Sequence, residues 1–214
     1  MENSDFNKAS NLKAYKDFND YINIERWNSF YYQLKEIIKL SPKNILEIGP
    51  GSNVLKNILN EYNIEYKSAD VDKKTEPDYL LDIRNLSSID EKFDVVVAFQ
   101  ILEHLPYKYF LPNLKELDKV SKKYVLISLP VNGISYRLNL KLSKYINLDR
   151  SGKIPFLNTK LYKEHYWEIN HNYTLKTIRN DINKVFNINH EYQCKENPYH
   201  YFFILEKKTV DPKP

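Results

Sequence analysis

The sequence predicts an α/β domain with a mainly parallel sheet covered by helices on both faces. Strand and helix patterns alternate along the chain with short connections, which favours parallel pairing through helical crossovers. Phe93–Phe99 (FDVVVAF) is a β-branched run flanked by polar residues, as a buried central strand requires. A turn carrying two glycines follows the first strand pattern directly.

The elements follow in order. Residues 1–22 are polar with scattered aromatics and read as a loose arm or short helix. From Ile24 to Leu40, helical spacing aligns Trp27, Phe30, Tyr31, Leu34, Ile37 and Ile38 on one face, and Pro42 marks the stop. Residues 1–43 are thus expected as an N-terminal helical arm before a domain over 44–214. Asn44–Ile48 predicts the first strand, and Val54, Leu55, Ile58, Leu59 and Tyr62 an amphipathic helix. Further strands are expected at Glu65–Ala69, Asp78–Leu81 and Phe93–Phe99. Leu111, Leu114 and Leu117 mark the next helix, and Tyr124–Leu129 a strand stopped by Pro130. Residues 131–172 read as an irregular, basic insertion. A helix near Thr174–Asn183 takes Thr174 as N-cap, and two closely spaced strands, Phe186–Tyr192 and Tyr199–Glu206, read as an antiparallel pair.

The 214 residues fit one such domain, with 42% hydrophobic residues to fill a core and 28% charged residues for its surface. No apolar run approaches the roughly 18 residues of a membrane span. The N-terminus lacks the basic and apolar regions of a signal peptide, so a cytoplasmic protein is expected. A single cysteine, Cys194, excludes an internal disulfide and a cysteine-based zinc site, and no metal is expected. The formal charge of +4 is too small to imply nucleic acid.

In Ile45–Ser52 (ILEIGPGS), glycines let the backbone turn sharply and approach a ligand outside the strand ends. An ordinary tight turn would use the same residues. Asp70 ends the second strand, where a carboxylate can accept from both hydroxyls of a ribose. Asp82 ends the third, where its side chain and the Ile83 backbone can read an adenine edge. Asp72 and Asp78 read as solvated loop charges. No third glycine follows Ser52, which argues against an NAD or FAD site.

ILEIGPGS, SADVD, DYLLDIRNLS and FDVVVAFQILEHLP, in this order and spacing, resemble the successive motifs of class I S-adenosylmethionine-dependent methyltransferases over about residues 44–130. The resemblance implies a Rossmann-like seven-stranded sheet with the last strand antiparallel and S-adenosylmethionine across the strand ends. Glu47, Gly49 and Gly51 would border its methionine part, Asp70 its ribose, Asp82 and Ile83 its adenine, and Gln100 its amino-acid end. Pro50 departs from the Cys or Ala of many relatives. FQILEHLP, SLP and HYWEI are also similar to small bacterial methyltransferases of glycan and capsule biosynthesis.

Methyl transfer from a sulfonium needs alignment above all, worth up to roughly 7–11 kcal/mol. A hydroxyl acceptor also profits from a general base, by about 10²–10⁴-fold. His104, in Glu103-His104-Leu105-Pro106 beyond the fourth strand, is the first candidate, with a structural role beneath the cofactor as the other reading. His165 is the second, in a segment where Tyr166, Trp167 and Glu168 can contact a substrate or simply form a packed corner. His171, His190 and His200 have no supporting context. Available histidines favour O-methylation.

Between Val131 and Lys163, seven basic residues face one acid, so the insertion carries +6 and the rest of the chain −2. On an acceptor lid, Arg137 and Lys141 among them, this favours a small anionic acceptor. Ile134, Tyr136, Leu138, Leu140 and Leu142 alternate with polar residues, which suits an edge strand better than a membrane-bound helix, and membrane contact is not expected. Nucleic acid as substrate is disfavoured: after the fourth strand stands Gln100-Ile101-Leu102-Glu103, not the Asn/Asp-Pro-Pro-aromatic motif of base methylation. The competing class is a non-catalytic subunit that binds S-adenosylmethionine and regulates a partner. The aromatic N-terminal region offers a surface for a homodimer.

Overall fold

The computed structural model describes residues 23–142, 146–155 and 160–208, and the arm expected over residues 1–22 lies outside them. The described elements are α1 (Ile24–Lys39), β1 (Asn44–Ile48), α2 (Val54–Leu59), β2 (Glu65–Asp70), β3 (Tyr79–Leu80), β4 (Phe93–Phe99), α3 (Phe110–Val120), β5 (Ser121–Pro130), β6 (Ile134–Leu142), β7 (Ile146–Ile154), α4 (Leu175–Ile182), β8 (Phe186–Gln193) and β9 (His200–Lys207).

The apolar runs of β1 and β4 lie side by side in the middle of a seven-stranded sheet of order β3-β2-β1-β4-β5-β9-β8. β1 pairs in parallel with β2 and β4, and β5 continues the parallel set. β9, the last strand, runs antiparallel to both β5 and β8. Alternate side chains feed two cores. One face buries Leu46, Val96, Ile127 and Phe203 under α3 and α4, and the other buries Ile45, Val97 and Phe202 under α1 and α2. On α3, Phe110, Leu114, Leu117 and Val120 recur at helical spacing and are all buried, each contributing about 1.5–3 kcal/mol. Thr174 caps α4 as expected, its hydroxyl accepting from the Thr177 amide at 3.1 Å.

Three expectations change. First, α1 forms where its periodicity places it, and Phe30, Leu34, Ile37 and Ile38 of the expected face pack on the core, but Trp27 and Tyr31 of that face are exposed while Ser29, Gln33 and Glu36 are buried. Ser29 and Gln33 line a cavity over the strand ends, and Glu36 accepts from the Tyr192 hydroxyl at 3.1 Å.

Second, the insertion is not irregular throughout. β6 and β7 form a separate two-stranded antiparallel sheet in register Ile134↔Ile154 to Leu142↔Ile146. The period-2 alternation is therefore that of a strand, with Ile134, Tyr136, Leu138, Leu140 and Leu142 exposed along one side.

Third, Asp78 is not simply a solvated loop charge, because its carboxylate accepts from the Ser68 amide at 2.8 Å and the Ser68 hydroxyl at 3.1 Å. Among the described residues, no helix is long and apolar enough to cross a membrane.

Candidate active site

The turn after β1 sets one wall of the site. Gly49 and Gly51 adopt left-handed conformations, with φ of +67° and +53°. The left-handed φ favours glycine, and a Cβ on Gly49 would stand 2.3 Å from Cδ1 of Ile101 and displace that side chain. The Gly49 amide donates to the Ala69 carbonyl at 2.9 Å, fixing the turn against the end of β2. A cavity of about 490 Å³ opens over the ends of β1, β2 and β4, where strand order reverses. Glu47, Gly49, Gly51, Asp70, Asp82, Ile83 and Gln100 all line it, together with His104 and His165.

Two carboxyls beside this turn are shifted by their surroundings. Burial pushes Glu47 up to about 8, although the Tyr66 hydroxyl, donating to Oε2 at 2.5 Å, acts the other way. Burial also raises Asp70, whose Oδ1 accepts from the Asp72 amide at 2.9 Å. Asp82 accepts from the amide, Nε and Nη2 of Arg84 at 2.8, 3.0 and 3.0 Å, so much of its carboxylate is engaged within the chain. Gln100 has a φ of +57°, and its amide N–H donates to the Ser128 carbonyl at 3.0 Å. Oriented by its neighbours, its side-chain nitrogen donates to Glu103 Oε1 and its oxygen accepts from the Leu129 amide, both at 3.3 Å.

Glu103 and His104 follow on a short 3₁₀ turn, Leu102–His104. Glu103 is fully buried, its Oε2 has no hydrogen-bond partner among the described residues, and burial with the nearby charge of Glu168 holds it well above the usual carboxylate range. His104 Nδ1 donates to the Glu164 carbonyl at 3.1 Å, and His165 Nδ1 to Glu168 Oε1 at 2.9 Å. The two imidazoles meet edge to face, 4.9 Å between centroids. Burial acts to raise Glu168, but hydrogen bonds from His165, Asn132 and the Tyr162 amide outweigh it and hold the carboxylate low. The Asn132 bond is 2.6 Å, and the Tyr199 hydroxyl lies 3.3 Å from His165 Nδ1.

The expected acceptor contacts are not assembled in the same way. Trp167 is 1% exposed, with its indole N–H donating to the Leu105 carbonyl at 3.0 Å, and so fills the core beneath the site. Tyr166 is half-buried against that core, its amide donating to the Glu103 carbonyl at 2.9 Å. Glu168 is buried and orients His165 from behind. Arg137 and Lys141 lie along the exposed β6, away from the cavity lining, and Arg137 sits 3.6 Å from Asp149. A self-paired ribbon carries these cations outward.

The cavity also gathers residues without a sequence motif. Arg26, Ser29 and Gln33 reach it from α1, Tyr162 and Glu164 from the segment before His165, and Tyr199 and His200 from the start of β9. The polar spacing Arg26-Ser29-Gln33, every three to four residues, was the available signal. His200 was set aside as contextless, yet it is buried in the cavity wall, where burial lowers it to about 3 and keeps it neutral. His171 and His190 are exposed.

No protein-family model matches the sequence. No curated protein matches it either. Solved structures do match. PH0226 from Pyrococcus horikoshii OT3 superposes with a TM-score of 0.59 at 14% identity, covering 91% of this chain and 95% of that one. The 1,6-didemethyltoxoflavin-N1-methyltransferase of Burkholderia thailandensis, solved with S-adenosylhomocysteine, gives 0.59 at 12% identity over 92% and 85%. The magnesium protoporphyrin IX methyltransferase of Synechocystis PCC 6803, with bound S-adenosylmethionine, gives 0.54 at 12% identity over 86% and 79%. This is the class I methyltransferase fold. In a methyltransferase fold the cavity stands at the carboxyl ends of the strands, the position open α/β sheets use for ligands. Identities this low carry the fold and leave the acceptor to the site itself.

Proposed function

We propose that the protein is an S-adenosylmethionine-dependent methyltransferase acting on a hydroxyl of a small anionic acceptor. One observation carries this reading: residues from Glu47 to His165, on five separate segments, converge on one cavity at the strand ends. The residues fit the cofactor. The Gly49–Gly51 turn leaves room for an amino-acid moiety, Asp70 has acceptor capacity for a ribose diol, and Ile83 offers an apolar edge to adenine beside Asp82. Glu47 and Gln100 border the amino-acid end, and Arg26 supplies a cation for a carboxylate. S-adenosylmethionine would supply an electrophilic methyl group, and its sulfur would leave as a neutral thioether without an acid.

The chain's own residues then position, exclude water and help the acceptor ionise. His104 and His165 stand together on the cavity wall, and Glu168 and the Glu164 carbonyl fix both rings through Nδ1. We assign this pair to the acceptor hydroxyl. Lys153, with its ammonium 4.6 Å from the centre of the Tyr199 ring, places one cation of the basic insertion beside a cavity-lining residue, which supports an anionic acceptor. A glycan or phosphorylated metabolite has that character. The exposed Trp27 and Tyr31 of α1 are the surface we assign to self-association.

Calorimetric titration with S-adenosylhomocysteine, then a methyl-donor assay over a pool of anionic and neutral metabolites, tests the reading. Binding with product from an anionic acceptor is the expected result. Binding with no product from any acceptor favours the regulatory-subunit reading, and no binding at millimolar concentration removes both.

A further inference from the structure

We propose that Glu103, His104 and His165 form a binding site for a divalent transition-metal cation of the zinc class. A carboxylate oxygen of Glu103 and one ring nitrogen of each histidine all lie within 4.8 Å of one another. Two imidazoles and one carboxylate are a donor set that such cations accept, with further positions open to an outside ligand.

The surroundings strengthen the assignment. Each histidine gives its Nδ1 proton to a fixed acceptor, the Glu164 carbonyl at 3.1 Å for His104 and Glu168 Oε1 at 2.9 Å for His165. In the neutral ring that tautomer puts the lone pair on Nε2. A carboxylate or carbonyl behind the distal nitrogen is also how metal-ligating histidines are held. Asn132 and Tyr162 satisfy the Glu168 carboxylate in turn, so the support is built to the next shell.

A second, independent observation is Glu103 itself. Its side chain is 0% exposed, and its Oε2 has no hydrogen-bond partner among the described residues. An unpaired buried carboxyl oxygen costs free energy unless something outside the chain meets it. A cation at this position supplies that partner. Donor atoms on one zinc-class ion stand about 3.3 Å apart. The trio, spread over up to 4.8 Å, would therefore have to close on the cation as it binds.

The inference deepens the proposed function and rests on it only for its consequence. Coordinated to the cation, an acceptor hydroxyl would lose its proton more readily, the proton passing to water. The histidines would then act as ligands and not as bases. Metal binding itself needs no acceptor.

The test uses the full chain stripped of metal by chelation. Cobalt(II) and zinc are titrated separately, with cobalt followed by its visible absorption and zinc by calorimetry. One equivalent of each is expected to bind, and zinc to displace cobalt. His104→Ala, His165→Ala and Glu103→Gln should each weaken binding at least about 10-fold, and Glu168→Gln, through His165, by about 10–100-fold. A reading free of variants comes from long-range proton–nitrogen spectra of the five histidine rings in the wild type: zinc should move Nε2 of two rings. No binding at millimolar metal, shifts at other rings, or equal affinity in folded variants would overturn the site. S-adenosylhomocysteine affinity, measured on the same samples, separates the two ideas. Its survival without metal binding sinks only the metal site, and its absence with metal binding intact sinks only the methyltransferase reading.

Discussion

Burial raises the carboxyl of Glu47 from 4.5 to about 8, and it draws a pH dependence with it. Between those values the unfolded chain is ionised and the folded chain holds the proton, so the folded state binds more protons. Stability from this group is full below pH 4.5 and is lost as pH rises through 8. Glu47→Gln is therefore expected to flatten the fall of thermal midpoint across that interval, a change read directly from melts at stepped pH. His200 acts in the opposite sense. Its folded value of about 3, against 6.5, makes stability grow from pH 3 to 6.5, and the two groups bracket an optimum on the acid side of neutrality. Asp70 is a matter of binding. Replacing it with Ala should weaken S-adenosylhomocysteine by about 2 kcal/mol, near 30-fold, for charged hydrogen bonds lost to the ribose, as calorimetry would measure. Asp70 reaches the cavity lining, as its place at the end of a strand predicts. Glu103 is not marked out by its sequence, since nothing local says that a glutamate will be fully buried.

At the scale of elements, the turn after β1 is the sharpest case of a sequence signal with a physical cause. Gly49→Ala places a Cβ against Ile101 at a left-handed φ, so a loss of about 1–3 kcal/mol in stability and weaker cofactor binding are expected together, by denaturant melts and titration. The β6–β7 ribbon behaves differently because it pairs with no strand of the main sheet. It meets the body through a few contacts: Lys195 with Asp149 at 2.8 Å, the Ser151 hydroxyl with the Lys195 carbonyl at 2.5 Å, and Lys153 over Tyr199. Its roots are close, since a Cβ on Gly133 would lie 2.4 Å from the Ile154 carbonyl. Replacing residues 134–154 by a short Gly-Ser link should leave S-adenosylhomocysteine affinity within about 3-fold and raise the acceptor KM at least about 10-fold. An unchanged KM in that steady-state assay would remove the insertion from acceptor recognition. The alternation of β6 was visible in its residues, but not its partner, because period 2 gives a strand and says nothing about which edge it joins. On α1 the periodicity finds the side that packs on the core but not its edges, since Trp27 and Tyr31 are exposed and Ser29, Gln33 and Glu36 are buried by what distant segments bring.

For the whole molecule, the cavity lies between segments that are far apart in sequence, so its occupation should stabilise the fold as a unit. With S-adenosylhomocysteine at 100 times its Kd the gain is about 2.7 kcal/mol. In a chain of 214 residues that corresponds to a rise of roughly 5–10 °C in Tm by scanning calorimetry. The seven strands of the main sheet, their order of appearance, the glycine turn and the two strand-end carboxylates were determined by the sequence alone, because each follows from local periodicity, backbone freedom or position at an element's end. Tertiary structure alone decided that α1 turns polar residues inward, that Trp167 fills the core, and that Arg137 and Lys141 project outward on a self-paired ribbon. It also decided that Glu103, His104 and His165 meet, over a separation of 61 residues between the two histidines. The reason is the same in each case: burial and side-chain contact depend on what a distant segment brings, and no local pattern carries that information.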